Sequence, residues 1–127
     1  MTMAGISHEL HIKRAYEAAA PNDGLRVYID RLWPRGLTKE AAHIDEWIKT
    51  LAPSTELRKW FGHDPEKFAE FKTRYTHELD ARAEDVAHLV ELCRTQAVTL
   101  LFSARDVVHN NAVVLQGYLK KRLGNAE

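Results

Sequence analysis

The segment Ala97-Val98-Thr99-Leu100-Leu101-Phe102 is a nearly unbroken apolar run of strand length, and the polar Ser103 follows it directly. A strand that is covered on both faces has this pattern, because neither face of the sheet meets water. The run therefore predicts a buried strand of a layered α/β protein, and its carboxyl end falls at Ser103.

A second strand is predicted upstream, over Leu25–Asp30, from its β-branched and aromatic content and its abrupt end at a charged residue. Turn-forming residues enclose it: Pro21-Asn22-Asp23-Gly24 precedes it, and Trp33-Pro34-Arg35-Gly36 follows it. Residues 10–16 alternate weakly and predict a first strand. These strands alternate with segments of helical spacing.

Helices are indicated by apolar residues at helical spacing and by their caps. Thr38 is placed to cap a short helix, and Asp64-Pro65 is a typical start for a longer one. We predict the other helices over residues 54–61, with Gly62 as the stop, over residues 81–94, and from a cap at Asp106 to Leu123.

Residues 44–51 fit two patterns. Ile44, Trp47, Ile48 and Leu51 have the spacing of one helix face. The Ala52-Pro53-Ser54 stop that follows suits a short strand feeding a helix, and we favour the strand.

Together these elements predict a single compact α/β layered domain with a small, mostly parallel sheet of three or four strands flanked by helices. Its length of 127 residues suits one domain spanning residues 1–127, with frayed ends at about 1–7 and 124–127.

Composition excludes several classes of protein. Lys+Arg and Asp+Glu are equal at 18 each, which argues against a globally cationic nucleic-acid binder but leaves a local basic patch open. Cys93 is the only cysteine, so an internal disulfide is excluded, and the histidine spacing predicts no metal site. No apolar run is long enough for a membrane helix and residues 1–8 do not resemble a secretory signal, so we expect a cytoplasmic protein.

Polar clusters follow the two best-defined strands. If these strands are parallel neighbours, the clusters meet at the edge where α/β sheets bind ligands. The predicted site holds Asp30, Arg31, Arg35, Ser103, Arg105, Asp106, His109 and Asn110. Arginines beside a helix N-terminus suit phosphate or carboxylate, because guanidinium groups and backbone amides both bind such oxygens.

Each of these residues also has a purely structural interpretation. Asp106 is a natural helix cap, Arg105 could pair with Asp30 across the sheet, and Asn110 could tie down a loop. Trp33 could be a core residue or a lid over the sheet edge. The sequence leaves open whether the cluster is a ligand site or an ion-pair network.

Three long motifs resemble the YeaO-like family, small bacterial proteins classed as a domain of unknown function. They are residues 23–36, residues 51–65, and residues 99–115 around Ser103-Ala104-Arg105-Asp106 and His109-Asn110. The resemblance extends from about Ile12 to Leu119 and implies an α/β domain in the bacterial cytoplasm, without implying a reaction. It adds Pro53, Ser54 to Arg58, and Gly62-His63-Asp64 to the candidate site.

Two functional hypotheses follow. In the first, the protein binds or acts on a small anionic ligand. Arg31, Arg35 and Arg105 hold the anion, and His109 or His63 is the acid or base. Asp30 would orient one of the histidines, and the remaining ligand contacts would come from Trp33, Ser54, Arg58, Asp106 and Asn110.

In the second hypothesis the protein is a non-catalytic binding or regulatory module for a protein or nucleic-acid partner, which it contacts through Trp33, Trp60 and a charged helix surface. Glu66, Glu70 and Glu78 interleave with the lysines of that surface, which is less typical of a phosphate-binding track. The sequence carries no common nucleotide-binding motif, so we assign no cofactor and leave open whether the protein is an enzyme.

Overall fold

The computed structural model describes residues 9–124 and contains a four-stranded, all-parallel sheet. The strands lie in the spatial order β1-β4-β2-β3 and have these bounds: β1 (Leu10–Arg14), β2 (Leu25–Tyr28), β3 (Glu46–Trp47) and β4 (Val98–Phe102). Every residue of β4 is buried, as its apolar sequence predicts.

The two best-defined strands are adjacent and parallel, which confirms the premise of the predicted strand-end cluster. Val98 of β4 lies opposite Leu10 of β1 on one side and opposite Leu25 of β2 on the other. The carboxyl ends of β1, β2 and β4 therefore meet at one edge of the sheet, where the polar loops begin.

Within residues 9–124, five α-helices complete the fold: α1 (Lys39–Ala42), α2 (Thr55–Phe61), α3 (Phe68–Asp80), α4 (Ala83–Thr95) and α5 (Asn111–Gly124). The main core lies between one face of the sheet and α2–α5. The opposite face has a smaller core, in which Tyr28 and Leu101 pack against Leu37, Ile44 and Trp47. The prediction of an α/β fold with a small parallel sheet flanked by helices is confirmed. None of the helices in residues 9–124 is long and apolar enough to cross a membrane.

The ambiguous segment 44–51 forms a strand, but a very short one. Only Glu46–Trp47 pairs with β2, and a 3-10 turn over Lys49–Leu51 follows. The helix predicted to start at Pro65 begins instead with a 3-10 turn over Pro65–Lys67 before α3. The predicted frayed ends at 1–7 and 125–127 lie outside the described residues, whereas Gly124 is the last residue of α5.

Buried ions anchor the start of β2. The Asp23 carboxylate, which is 5% exposed, accepts hydrogen bonds from Arg26 Nη1 at 2.7 Å and from Lys13 Nζ at 3.0 Å. Burial acts to raise the pKa of Asp23, but hydrogen bonds from the Ala20 amide, Lys13 and Arg26 outweigh it and lower that pKa. The Arg26 guanidinium also donates to the carbonyl groups of Glu17, Ala42 and His43.

Gly24 joins this ion pair to β2 in a backbone conformation reserved for glycine, with φ 66° and ψ −138°. A Cβ atom there would lie 2.2 Å from the carbonyl oxygen of Ala97. The glycine therefore lets β2 approach the start of β4 closely enough to pair with it.

Candidate functional site

A cleft with a volume of about 110 Å³ opens at the carboxyl edge of the sheet. The loops after β2 and β4 form its floor, and α2, α3 and the segment that precedes α2 form its wall. Its lining consists of Asp30, Arg31, Leu32, Ala52, Pro53, Arg58, Phe61, His63, Phe71, Ser103, Ala104, Asn110 and Asn111. The space suits a small ligand or one group of a larger ligand.

Asp30 joins the loops at the floor of this cleft. Its Oδ2 accepts hydrogen bonds from the Ser103 amide at 2.8 Å and the Ser103 hydroxyl at 2.7 Å. Its Oδ1 accepts a hydrogen bond of 2.7 Å from Asn111 Nδ2. The carboxylate therefore ties the end of β2 to the end of β4 and the start of α5. Its partners are Ser103 and Asn111, and not a histidine or Arg105 as the two sequence-based interpretations expected.

Two guanidinium groups bring positive charge to the cleft. Arg31 is half-buried and donates through Nε to the Pro53 carbonyl at 3.3 Å. Arg58, on α2, is exposed to solvent while it lines the same cleft. Asp30 is the only carboxylate among the lining residues, so the charge at the cleft is predominantly positive.

His63 lies at the rim in an unusual turn. Gly62 and His63 both have left-handed backbone conformations, with φ 54° and 59°. This conformation is costly for a residue with a Cβ atom and is found most often where the surrounding structure or a function requires it. The imidazole lies 6.3 Å from the ring of Phe61, on the wall of the cleft, and is exposed to solvent. The position is suitable for hydrogen bonding to a ligand.

The loop after β4 corrects the predicted start of α5. Asp106 does not cap this helix, because its Oδ1 accepts from the amides of Val108 and His109 and thereby closes a turn ahead of it. Asn110 is the residue whose Oδ1 accepts from the amide of Val113, as a cap does. A short polar side chain can cap any nearby turn, so the sequence alone does not decide which turn Asp106 closes.

His109 and Asn110 precede α5 rather than forming its first turn, which begins at Asn111. The His109 Nδ1 lies 2.9 Å from Asp106 Oδ2, and its ring packs edge-on against Phe68 with centroids 5.2 Å apart. His109 is not among the residues that line the cleft. His63 is therefore the predicted histidine that the fold brings to the cleft.

We expect a low pKa for Asp106 in the folded protein. Hydrogen bonds from the amides of His109 and Val108, and from the His109 side chain, lower the pKa of Asp106 to about 2. A group with a depressed pKa contributes stability above its ordinary value of 3.8, and this contribution is lost as the pH falls towards 2.

An NMR titration of the side-chain carboxyl carbon checks this expectation, with the amide shifts of Val108 and His109 as reporters. These reporters should move together in the wild-type protein, with a midpoint near the pKa of Asp106. They should lose that transition in Asp106→Asn. A midpoint near the ordinary value in the wild-type protein would contradict the hydrogen-bonded turn.

Four other predicted ligand residues lie away from the cleft lining. Arg35 and Arg105 are exposed to solvent. Trp33 packs beside Tyr28 and Trp47 on the opposite face of the sheet, and its Nε1 donates to the Leu37 carbonyl at 2.6 Å.

Ser54 is the fourth predicted ligand residue outside the cleft lining, and it is hydrogen-bonded to Glu78 of α3. Its hydroxyl donates to Glu78 at 2.6 Å and accepts from the amide of Leu57, which caps α2. Glu78 also accepts from the Ser54 amide at 2.8 Å. Ser54 therefore holds the start of α2 in place behind the cleft wall.

Sequence reasoning missed part of the lining. Ala52 and Phe71 are apolar residues that look like ordinary core positions, and nothing local marks them as parts of a cleft. Asn111 follows the predicted cluster directly and could have been found by its side chain, which carries both a donor and an acceptor.

Among residues 9–124, no three His, Cys, Asp or Glu side chains lie close enough together to hold a metal ion. Cys93 is buried, and burial raises the pKa of its thiol to about 11, so it serves as a core residue.

Comparison with known proteins identifies the family. The model of DUF488-N3i, described as the inactive DUF488-N3 subclade, matches residues 9–127, and the chain belongs to this family. The family resemblance drawn from the sequence motifs is thereby confirmed.

Two bacterial relatives are similar over almost their whole length. The uncharacterized protein YeaO of Escherichia coli K12 is 40% identical over 111 residues, which cover 87% of this chain and 96% of that protein. The uncharacterized protein Rv3073c of Mycobacterium tuberculosis H37Rv is 41% identical over 113 residues, which cover 89% of this chain and 95% of that protein. No solved structure matches the chain significantly.

Proposed function

We propose that this protein binds a small ligand bearing a carboxylate or phosphate group in the strand-end cleft, without converting it chemically. The observation that carries the proposal is the charge of the cleft. Arg31 and Arg58 line it, and they outnumber the one lining carboxylate, Asp30, whose oxygens accept three hydrogen bonds from Ser103 and Asn111. Guanidinium groups bind such oxygens through paired N–H donors.

Binding fits the geometry better than catalysis. The Asp30 carboxylate is engaged on both oxygens, by the Ser103 amide and hydroxyl and by the Asn111 side chain, an arrangement that joins the loops at the floor of the cleft. The turn with Asp106 holds His109 outside the cleft lining. The family description as an inactive subclade agrees with a role in binding.

The setting that we propose is the bacterial cytoplasm, with the chain acting as one domain. The bacterial relatives support the organism class. The YeaO-like resemblance implies the compartment, and the lone cysteine fits a reducing environment.

We expect Arg58→Gln to weaken anion binding at least tenfold, because a hydrogen bond to a charged group contributes about 1.5–3 kcal/mol. Arg58 is exposed on α2, so its replacement should leave the fold intact. Thermal-shift and calorimetric titrations with inorganic phosphate, acetate, sugar phosphates and nucleoside monophosphates measure this effect, because a ligand of the folded state raises its melting temperature.

The control is Lys72→Gln, which removes one exposed positive charge from α3 at a residue that does not line the cleft. It should bind these anions as the wild-type protein does. Equal weakening by both variants would indicate general charge attraction, and the absence of any shift in the wild-type protein would refute the proposed function.

A further inference from the structure

Four large hydrophobic side chains are exposed on residues 9–124, and all four follow the carboxyl end of a strand at one edge of the sheet. Tyr16 (40% exposed) follows β1, Leu32 (61%) follows β2, and Val107 (57%) and Val108 (59%) follow β4. We call these four residues the strand-end patch. Apolar side chains concentrated beside a cleft, rather than scattered over the surface, mark an interaction site.

The patch is continuous with the cleft on two sides. Leu32 itself lines the cleft. Val107 and Val108 occupy the middle of a loop whose two ends, at Ser103-Ala104 and at Asn110, line the cleft as well. The valines therefore belong to an exposed loop that is anchored in the cleft lining at both of its ends.

The loop presents the valines in a defined conformation. Asp106 accepts hydrogen bonds of 2.9 Å from the amides of both Val108 and His109, and its carbonyl accepts one of 2.8 Å from Asn110 Nδ2. His109 adds the packing of its ring on Phe68. A loop with this many internal bonds keeps the two valines in solvent although Phe68 and the main core lie nearby.

Positive charge surrounds the patch. The Arg14 guanidinium lies 4.8 Å above the Tyr16 ring and donates to the carbonyl groups of Ser103 and Ala104. Tyr16 in turn donates to the carbonyl of Arg35, and the side chains of Arg35 and Arg105 are exposed. Three carboxylates lie in the same loops: Asp30 and Asp106, whose hydrogen bonds are described above, and Glu17, which accepts from the Arg14 amide. The surface is therefore apolar, and Arg14, Arg31, Arg35 and Arg105 outnumber these three carboxylates.

We propose that the anionic group bound by the cleft belongs to a peptide: an acidic, apolar segment of a partner protein. This inference rests on the proposed function. One carboxylate of the segment enters the cleft beside Arg31 and Arg58, and a neighbouring aliphatic or aromatic side chain packs on Leu32, Val107 and Val108. Charge complementarity selects an acidic segment, and the aliphatic patch supplies the contact area that a free inorganic anion would not use.

A peptide explains this surface better than a nucleic acid does. Single-stranded nucleic acids are held by aromatic side chains that stack on bases and by a long positively charged groove. Three of the four side chains of the patch are aliphatic, and the whole chain has a formal net charge of zero.

The test uses the full-length protein immobilised on beads and two randomised octapeptide pools. One pool contains Asp, Glu, Leu, Val and Phe, and the matched pool replaces Asp and Glu by Asn and Gln. We expect enrichment from the acidic pool only, with NMR shifts at Leu32, Val107 and Val108 when the recovered peptide is added. A dT8 oligonucleotide at equal concentration should not displace that peptide.

The doubly substituted Val107→Ser/Val108→Ser protein separates this inference from the proposed function. Because both valines are exposed, the fold should survive, peptide affinity should fall about tenfold, and affinity for acetate and phosphate should stay unchanged. Arg58→Gln should weaken the binding of the peptide, of acetate and of phosphate.

Three results would overturn the peptide assignment while anion binding stands: equal recovery from both pools, peptide affinity that is unaffected by the two serines, or displacement by dT8. If the wild-type protein binds neither acetate nor phosphate, the proposed function on which the assignment rests is refuted instead.

Discussion

Replacement of Asp23 by Ala is expected to lower the free energy of unfolding by about 3–5 kcal/mol, the usual cost of removing one partner of a buried ion pair. The substitution leaves the Arg26 guanidinium buried, at 3% exposure, without its counter-ion. It also removes the acceptor of the Ala20 amide and leaves Lys13 with only the Ala18 carbonyl. Urea unfolding followed by circular dichroism at pH 7 measures the change.

The pH dependence of unfolding gives an independent check on Asp23. Because the pKa of Asp23 is lowered in the folded protein, its contribution to stability is present above the ordinary value of 3.8 and is lost as the pH falls through the folded value. The Asp23→Ala variant should lack this part of the acid destabilisation.

The matched control removes both charges together. Asp23→Leu/Arg26→Met should cost much less than the single Asp23→Ala change, since apolar replacement of a whole buried pair is often close to neutral. If the double variant is less stable than Asp23→Ala, the lost hydrogen bonds from Arg26 to carbonyl groups cost more stability than its unpaired charge does.

Replacement of Asp30 by Ala is the second change with a large expected effect, a loss of about 3 kcal/mol or more in the free energy of unfolding. Hydrogen bonds to a charged group contribute about 1.5–3 kcal/mol each, and here three converge on one carboxylate. The loss leaves the Ser103 amide without its acceptor and the Asn111 side chain with only the Ile29 carbonyl, at the junction of β2, β4 and α5. Chemical unfolding measures the stability, and amide hydrogen exchange of residues 103–111 should show which loop opens.

Asp30→Asn provides the comparison, because an amide keeps the size and one acceptor oxygen. It should recover part of the stability and should raise anion affinity, since it removes the negative charge from the cleft. Wild-type stability in Asp30→Ala would refute the structural role of this carboxylate.

The sequence was most informative about the strands and about where they end. β4 could be predicted because continuous burial demands apolar side chains, and β2 because of its β-branched and aromatic content. The polar residues that follow them, Ser103 and Asp30, mark the edge of the sheet. The parallel adjacency of the two strands then places Asp30 beside Ser103. The same logic extended only to residues next to the strand ends.

Side chains farther into the loops could not be placed in this way. Arg35 and Arg105 lie only a few residues beyond Asp30 and Ser103, yet both point into solvent, because the direction of a loop side chain depends on backbone angles that no periodicity encodes. The place of Phe71 in the cleft lining could not be predicted for a different reason. It reaches the cleft from α3, an element that local sequence patterns cannot position relative to the sheet.

The order of strands in space differs from their order along the chain, and this affects how the nascent chain folds during synthesis. β1 and β2 are separated in the sheet by β4, the last strand to be synthesised. Until Phe102 has left the ribosome, β1 has no neighbour to pair with, and the apolar faces of α2–α4 have no complete sheet to cover. The nascent chain therefore depends on contacts between residues far apart in sequence, a topology that slows folding and leaves apolar segments exposed to chaperones in the meantime.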